Sequence, residues 1–133
     1  MYKLEKAPFG IKIKFAGFMQ PDEMREWLEE SKVALASAPK GFGVLVDETE
    51  LKALPEDTKK VLQEGQALYK ASGMSRSAVG LASALTTAQM KAVAKDAGIY
   101  EWERYIDASA NPNWVAIAMA WIQDGVDPDA KAA

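Results

Sequence analysis

The chain has no cysteine and no histidine among its 133 residues. Without cysteine there is no disulfide, no thiolate metal site and no thiol nucleophile. Without histidine, the commonest general base and the imidazole metal ligand are both missing. Proton chemistry would fall to Asp, Glu, Lys, Tyr or Ser, and none of these forms a known catalytic set. An excess of positive charge is missing too. Lys and Arg number 16 against 19 Asp and Glu, for a formal net charge of −3. That balance disfavours nucleic-acid binding, which rests on cationic neutralisation of phosphates. No apolar run approaches the ~20 residues that span a bilayer. The opening MYKLEKAPFG has no apolar signal-peptide core. The expectation is a cytoplasmic protein with no metal and no cofactor.

What is present is an alternation of strand-like and helix-like runs. Ile11, Ile13 and Phe15 alternate with Lys12 and Lys14, the period-2 pattern of a strand with one face in water. Tyr2 and Leu4 alternate weakly before the Pro8–Gly10 punctuation, so a hairpin opens the chain. Pro21, Asp22 and Glu23 open a helix by a proline-plus-acid device that suits the helix dipole. Its inward stripe is Met24, Trp27, Leu28 and Leu35. GVLV (43–46) is continuously apolar, which requires cover on both faces. ETELKAL (48–54) reads as a loop, and Pro55, Glu56 and Asp57 then open a second helix with Val61, Leu62, Leu68 and Tyr69 inward. Gly65 inside that helix costs ~1 kcal/mol relative to alanine, and a close approach to the sheet would explain it. SAVGLA (77–82) is the next buried strand. Thr86 and Gln89 fit a capping box for a third helix with Met90, Val93, Ala94 and Ala97 inward and Gly98 at its end. Tyr105 belongs to a last strand. Asn111 and Pro112 then open a fourth helix, with Trp114, Ile117, Ala118, Trp121 and Ile122 as its stripe. VDPDAKAA (126–133) has little apolar content and is expected to be a loose tail after one domain spanning 1–125. The fold class is α/β, a mixed sheet of about five strands packed with about four helices. The pattern does not order the strands.

IKIKFAGFMQPDEM, GFGVLVD and ERYIDASANPNWVAIAMAWI, in this order, resemble the STAS domain, most closely its SpoIIAA-like branch, which is compared with CRAL-TRIO (Sec14-like) lipid-binding domains. The resemblance spans about residues 8–125. It implies a STAS-like fold and a non-enzymatic binding or regulatory module. Anti-sigma-factor antagonists of this group carry Asp-Ser-Ser-Gly at the start of the second helix, and one Ser is phosphorylated. Here the helix begins Pro55-Glu56-Asp57-Thr58, so Thr58 is the one nearby hydroxyl, flanked by carboxylates that would repel a phosphate.

Asp47, Glu48 and Glu50 follow a buried strand at its carboxyl end, where α/β proteins place functional acids. They serve either as turn and capping groups or as a cation or acid–base site. Ser83, Thr86 and Thr87 stand between a strand and a helix N-terminus, where they cap the helix or hold a polar ligand head. Met19, Met24, Met90, Met119, Trp27, Trp114 and Trp121 fill a core or line a lipid cavity. Phe18, Leu51, Leu54, Ile99 and Trp102 lie in connections, as loop anchors, a dimer face or a membrane-contacting lip. Arg76, Lys91, Lys95 and Arg104 form either a small anionic-lipid patch or ordinary solvated positions. The binding candidates are therefore Asp47, Leu51, Leu54, Thr58, Ser83, Thr86, Thr87, Trp102 and Arg104. The leading reading is a non-catalytic module for an apolar or amphiphilic, lipid-like ligand or a membrane surface, with a protein partner or a homodimer left open. An antagonist-like protein switch and a carboxylate-dependent enzyme are the alternatives.

Overall fold

A computed structural model describes residues 1–130. The elements run β1 (Tyr2–Ala7), β2 (Gly10–Gly17), α1 (Pro21–Leu35), β3 (Gly43–Leu51), α2 (Glu56–Ala71), β4 (Ser77–Leu81), α3 (Ala84–Ala97), a 3-10 turn (Ile99–Glu101), β5 (Glu103–Asp107) and α4 (Trp114–Asp124). The five strands form one sheet in the order β1-β2-β3-β4-β5. β1 is antiparallel to β2, and every later neighbour is parallel. The sheet thus grows in a single direction. Parallel crossovers keep one hand, so the three helices that connect β2 to β5 collect on one face. Only α4, which follows the last strand, reaches the other.

Two cores result. Ile11, Ile13, Phe15, Val44, Val46, Val79, Leu81 and Tyr105 point from the sheet into the larger one, where they meet Met24, Trp27, Val61, Tyr69 and Ala94 of α1, α2 and α3. Leu45, Ala78 and Ile106 point the other way and meet Ala118, Trp121 and Ile122 of α4. The continuous GVLV run is buried because β3 is sandwiched between these cores. α4 packs on β3, β4 and β5. It leaves the outer face of β1 and β2 open, and Lys3, Glu5, Lys12 and Lys14 occupy that face, as the alternation in Ile11–Phe15 requires.

At the junction of α1 and α2, Trp27 stacks on Tyr69 with ring centroids 5.6 Å apart and meets Phe15 edge-on at 5.2 Å. Gly65 belongs to this junction and not to a helix–sheet approach. A Cβ at Gly65 would lie 2.2 Å from Trp27 Cζ3. The missing side chain makes room for the indole, and α2 rests on α1.

Several local expectations need correction. β3 continues through Glu48–Leu51, a stretch that reads as loop in sequence. A bulge hides the strand: Lys14 pairs with Asp47 but Ala16 with Glu50, which leaves one extra residue in β3 and breaks the period-2 pattern. The cap of α3 is Ser83, whose Oγ accepts the Thr86 N–H at 3.1 Å; Thr86 caps nothing. In α3, Thr87 and Ala94 are buried, while Val93 and Ala97 face solvent. Helix α4 starts at Trp114, not at Pro112, because the Asn111 side chain donates to the Asp107 carbonyl and holds a turn before it. Residues 126–130 are not loose. The Asp127 carboxylate accepts from Arg104 Nε at 2.8 Å, and Asp129 accepts from Lys91 and Tyr100. The rest of the expected tail, 131–133, lies outside the described residues.

Gly65→Ala should lower stability by ~1–3 kcal/mol through overpacking against Trp27, although helix propensity alone would raise it by ~1 kcal/mol. Urea denaturation of the two proteins decides the sign.

Candidate functional site

Because β2 to β5 are parallel, their carboxyl ends and the N-termini of all four helices gather at one edge of the sheet. Ligand-binding crevices form at such edges. The loop after β2 leaves Phe18 at 74% exposure, and the loop after β4 leads into Leu85 at 69%. Met19 follows Phe18 into the core, fully buried, and its carbonyl accepts the Thr58 hydroxyl at 3.0 Å. That bond ties the Phe18 loop to the first turn of α2, which carries the exposed Glu56 and Asp57.

The sequence-derived candidates are spread across this edge and beyond it. Thr58 is at 0% exposure with its hydroxyl committed to Met19, so it presents no phosphoacceptor in this conformation. Asp47 Oδ1 accepts from the Thr49 N–H at 2.9 Å and the Thr49 hydroxyl at 2.7 Å, which closes the β3 bulge. Ser83, Thr86 and Thr87 bond among themselves at the start of α3: Thr87 Oγ1 donates to the Ser83 carbonyl at 2.7 Å, and Ser83 Oγ bonds Thr86 Oγ1 at 3.0 Å. Leu51, Leu54 and Trp102 are partly buried against the larger core. Trp102 and Arg104 lie at the opposite, amino edge, where β5 begins. Arg104 is buried between the Tyr100 and Trp121 rings, 3.9 and 4.2 Å from their centroids, and pairs with Asp127. The other basic candidates are also engaged. Arg76 Nε donates to the Ile122 carbonyl at 3.2 Å, Lys91 binds Asp129 at 2.8 Å, and Lys95 lies over Tyr100. All four cations are engaged with carbonyls, carboxylates or rings of the chain itself, with Lys95 and Arg104 sharing Tyr100 and Arg76 and Arg104 sharing Trp121.

The polar group that sequence reading underweights is Glu48. The bulge and the β3 alternation put it on the same face as Val44 and Val46. Protein crowds its carboxyl although part of its surface reaches solvent, and this desolvation, with the charges of Glu103 and Asp47 secondary, raises its pKa from 4.5 to about 8. Glu103 shares this interior. Its carboxyl accepts from the Ser77 hydroxyl at 2.9 Å and the Tyr105 hydroxyl at 2.5 Å. Burial pushes Glu103 up and the two donors hold it partly back, while burial and the Glu103 charge push Tyr105 up. An acid inside a strand covered on both faces was the available signal for Glu103. Glu48 carried no such signal, because the bulge made its strand read as a loop. Among the described residues no group of three or more acids is arranged to hold a metal ion, and no helix is long and apolar enough to cross a membrane.

No family model matches the chain, and no curated protein matches it. Solved structures that share its fold include the following two. One is an uncharacterized DUF3478-family protein with a SpoIIAA-like fold from Shewanella loihica PV-4, 16% identical with a TM-score of 0.63, covering 86% of this chain and 91% of that one. The other is the anti-sigma factor antagonist SpoIIAA in its unphosphorylated form, 13% identical with a TM-score of 0.54, covering 87% of this chain and 96% of that one. The fold is therefore SpoIIAA-like, with five strands and four helices.

Glu48 generates a pH prediction. In the unfolded chain it ionises near 4.5, so between 4.5 and about 8 the folded protein holds a proton that the unfolded chain has released. Each unit of rising pH in that window lowers stability, by up to about 1.4 kcal/mol for this one group. Glu48→Gln should flatten the stability profile between pH 5 and 8 (roughly, from the same linkage) and make the variant the more stable protein at the upper end. Denaturant midpoints of both proteins across that range provide the check.

Proposed function

We propose that this chain is a non-catalytic protein-interaction module whose contact surface is Phe18 with the exposed first turn of α2. The observation that carries the reading is a ring left 74% exposed in a loop that is itself clamped, through Met19, to the α2 N-terminus. An exposed aromatic on a backbone tethered to the next helix suits a hot spot: it offers apolar area at reduced entropic cost. The carboxylates of Glu56 and Asp57, on the helix turn to which this loop is bonded, favour a partner that brings donors or positive charge. The neighbour described as an anti-sigma factor antagonist supports a regulatory protein partner by fold alone.

Regulation by phosphate at Thr58 does not suit this chain. The hydroxyl is buried and donated to a backbone carbonyl, so a kinase would have to open the α2 N-terminus. The interaction is then constitutive, with fixed carboxylates where a switch would carry a phosphorylated serine. Catalysis has little support, since the edge hydroxyls and Asp47 are used in caps and turns.

Affinity capture from the source cells, run with wild type and with Phe18→Ser, tests this. A partner retained by wild type and lost at least about tenfold in Phe18→Ser, at an unchanged unfolding midpoint, is the expected result. Thr58→Val should hold the same partner, and mass spectrometry should find no phosphate on the wild-type chain. Equal capture by Phe18→Ser would remove the proposed surface. A lipid-like mass carried through gentle purification, with no protein captured, would instead restore the ligand reading.

A further inference from the structure

We infer that the free edge of β1 is a self-pairing surface that joins two copies of this chain in an antiparallel, two-fold β-ribbon centred on Leu4. β1 is an outer strand of the sheet, and among the described residues no strand pairs with its far side. Which of its backbone groups face outward follows from the register. Met1 and Ala16 exchange both backbone bonds, at 2.8 and 2.9 Å. In an antiparallel pair such bonded positions alternate with unbonded ones. Lys3, Glu5 and Ala7 therefore turn their amides toward β2, and Tyr2, Leu4 and Lys6 turn theirs outward.

Only outward-facing residues can bond across a new edge, so an isologous pairing has its two-fold axis at Leu4, Lys3 or Glu5, with Leu4 or the outer pairs bonding across it. The charges on the open sheet face choose among these registers. Centring on Leu4 sets Lys3 of one copy opposite Glu5 of the other, twice, and bonds Tyr2 to Lys6 and Leu4 to Leu4. Centring on Lys3 sets Lys3 against Lys3, and centring on Glu5 sets Glu5 against Glu5. Like charges directly opposite are unfavourable and opposite charges favourable. Lys3 and Glu5 already pair within one chain at 2.9 Å, and in the ribbon the four groups become an alternating quartet.

The helix-covered face agrees with the same register. Beside the edge lies a groove of about 360 Å³ lined by Leu4, Lys6, Glu30, Val33 and Ala34. Val33 of α1 is 75% exposed there, and the Tyr2 hydroxyl donates to Glu30. A copy related by the two-fold at Leu4 brings Leu4 against Leu4 and places Lys6 beside the Tyr2–Glu30 pair of the other chain. Apolar contact, charge and backbone bonding thus select one alignment. Edge strands usually carry lysines that discourage pairing, but here each lysine meets an acid when the partner is a second copy. This surface is the lateral edge of the sheet, formed by backbone groups of β1 and not by the Phe18 ring, and it does not depend on the function proposed above.

Sedimentation equilibrium of the intact chain is the test, with Lys3→Glu, Glu5→Lys and the double exchange. Both positions are exposed, and equal circular dichroism and unfolding midpoints under monomeric conditions would show intact folds. Wild type should dimerise. Each single variant should self-associate at least about tenfold more weakly, and the double exchange should regain wild-type association. The two single variants mixed together should form a heterodimer that neither forms alone. That result cannot come from the charge pair within one chain, which is repulsive in both. A wild type that stays monomeric to millimolar concentration overturns the proposal, as does a dimer indifferent to these exchanges.

Discussion

The contact on which most of the structure depends is the seat of Trp27. Its ring fills the space over Phe15, lies flat on Tyr69 and presses into the bare backbone of Gly65. One side chain thereby couples the sheet, α1 and α2. Tyr69 is fixed in turn by a 2.7 Å bond to the Ser31 hydroxyl, and its own hydroxyl is pushed up to about 12 by burial. Trp27 Nε1 has no hydrogen-bond partner among the described residues, an unmet donor that costs about 1–3 kcal/mol. The packing of three aromatic rings outweighs it. With α2 set by this contact, its first turn reaches the Met19 carbonyl, and the Phe18 loop is held in place.

Winding in one direction explains the distribution of charge. Three helices must share one face, and α4 alone cannot cover five strands. The uncovered part is β1 and β2, where Lys3, Glu5, Lys12 and Lys14 keep the sheet soluble in water and leave both an open face and a free edge. On the covered side, Ser77, Glu103 and Tyr105 form a polar chain inside the larger core. Such a chain is acceptable because each oxygen of Glu103 has a donor. Glu48 has no donor among the described residues, so protonation is its route to neutrality.

Elements with strong periodicity were legible without coordinates. The stripes of α1 and α4, the hairpin signalled by Pro8 and Gly10, and the double-sided burial of Val44–Val46 all follow from side-chain spacing. Legibility failed where one local rule was met by the wrong residue. Thr86 and Gln89 satisfy the capping pattern, but the helix begins three residues earlier, with Ser83 as its cap. A single extra residue in β3 makes ETEL look aperiodic. Asp127 and Asp129 look like solvated tail residues until Arg104, Lys91 and Tyr100 are brought to them from distant positions. The candidate site was legible only as a region. Thr58, Ser83 and Asp47 are at the expected edge, but their oxygens are spent on backbone and caps, and Arg104 sits at the other end of β5.

The sequence by itself determined the architecture class, because alternation of 2-residue and 3.6-residue periods reports which faces are buried whatever they meet. It also excluded thiol and imidazole chemistry, because those side chains are absent from it. Only the tertiary structure decided what each polar group is for. A hydroxyl, a carboxylate or a guanidinium is defined by its partner, and the partners here lie far apart in sequence: Met19 for Thr58, Asp127 for Arg104, Tyr69 for Ser31. Local spacing carries no information on such pairs, since they form only when the sheet and helices bring distant segments together.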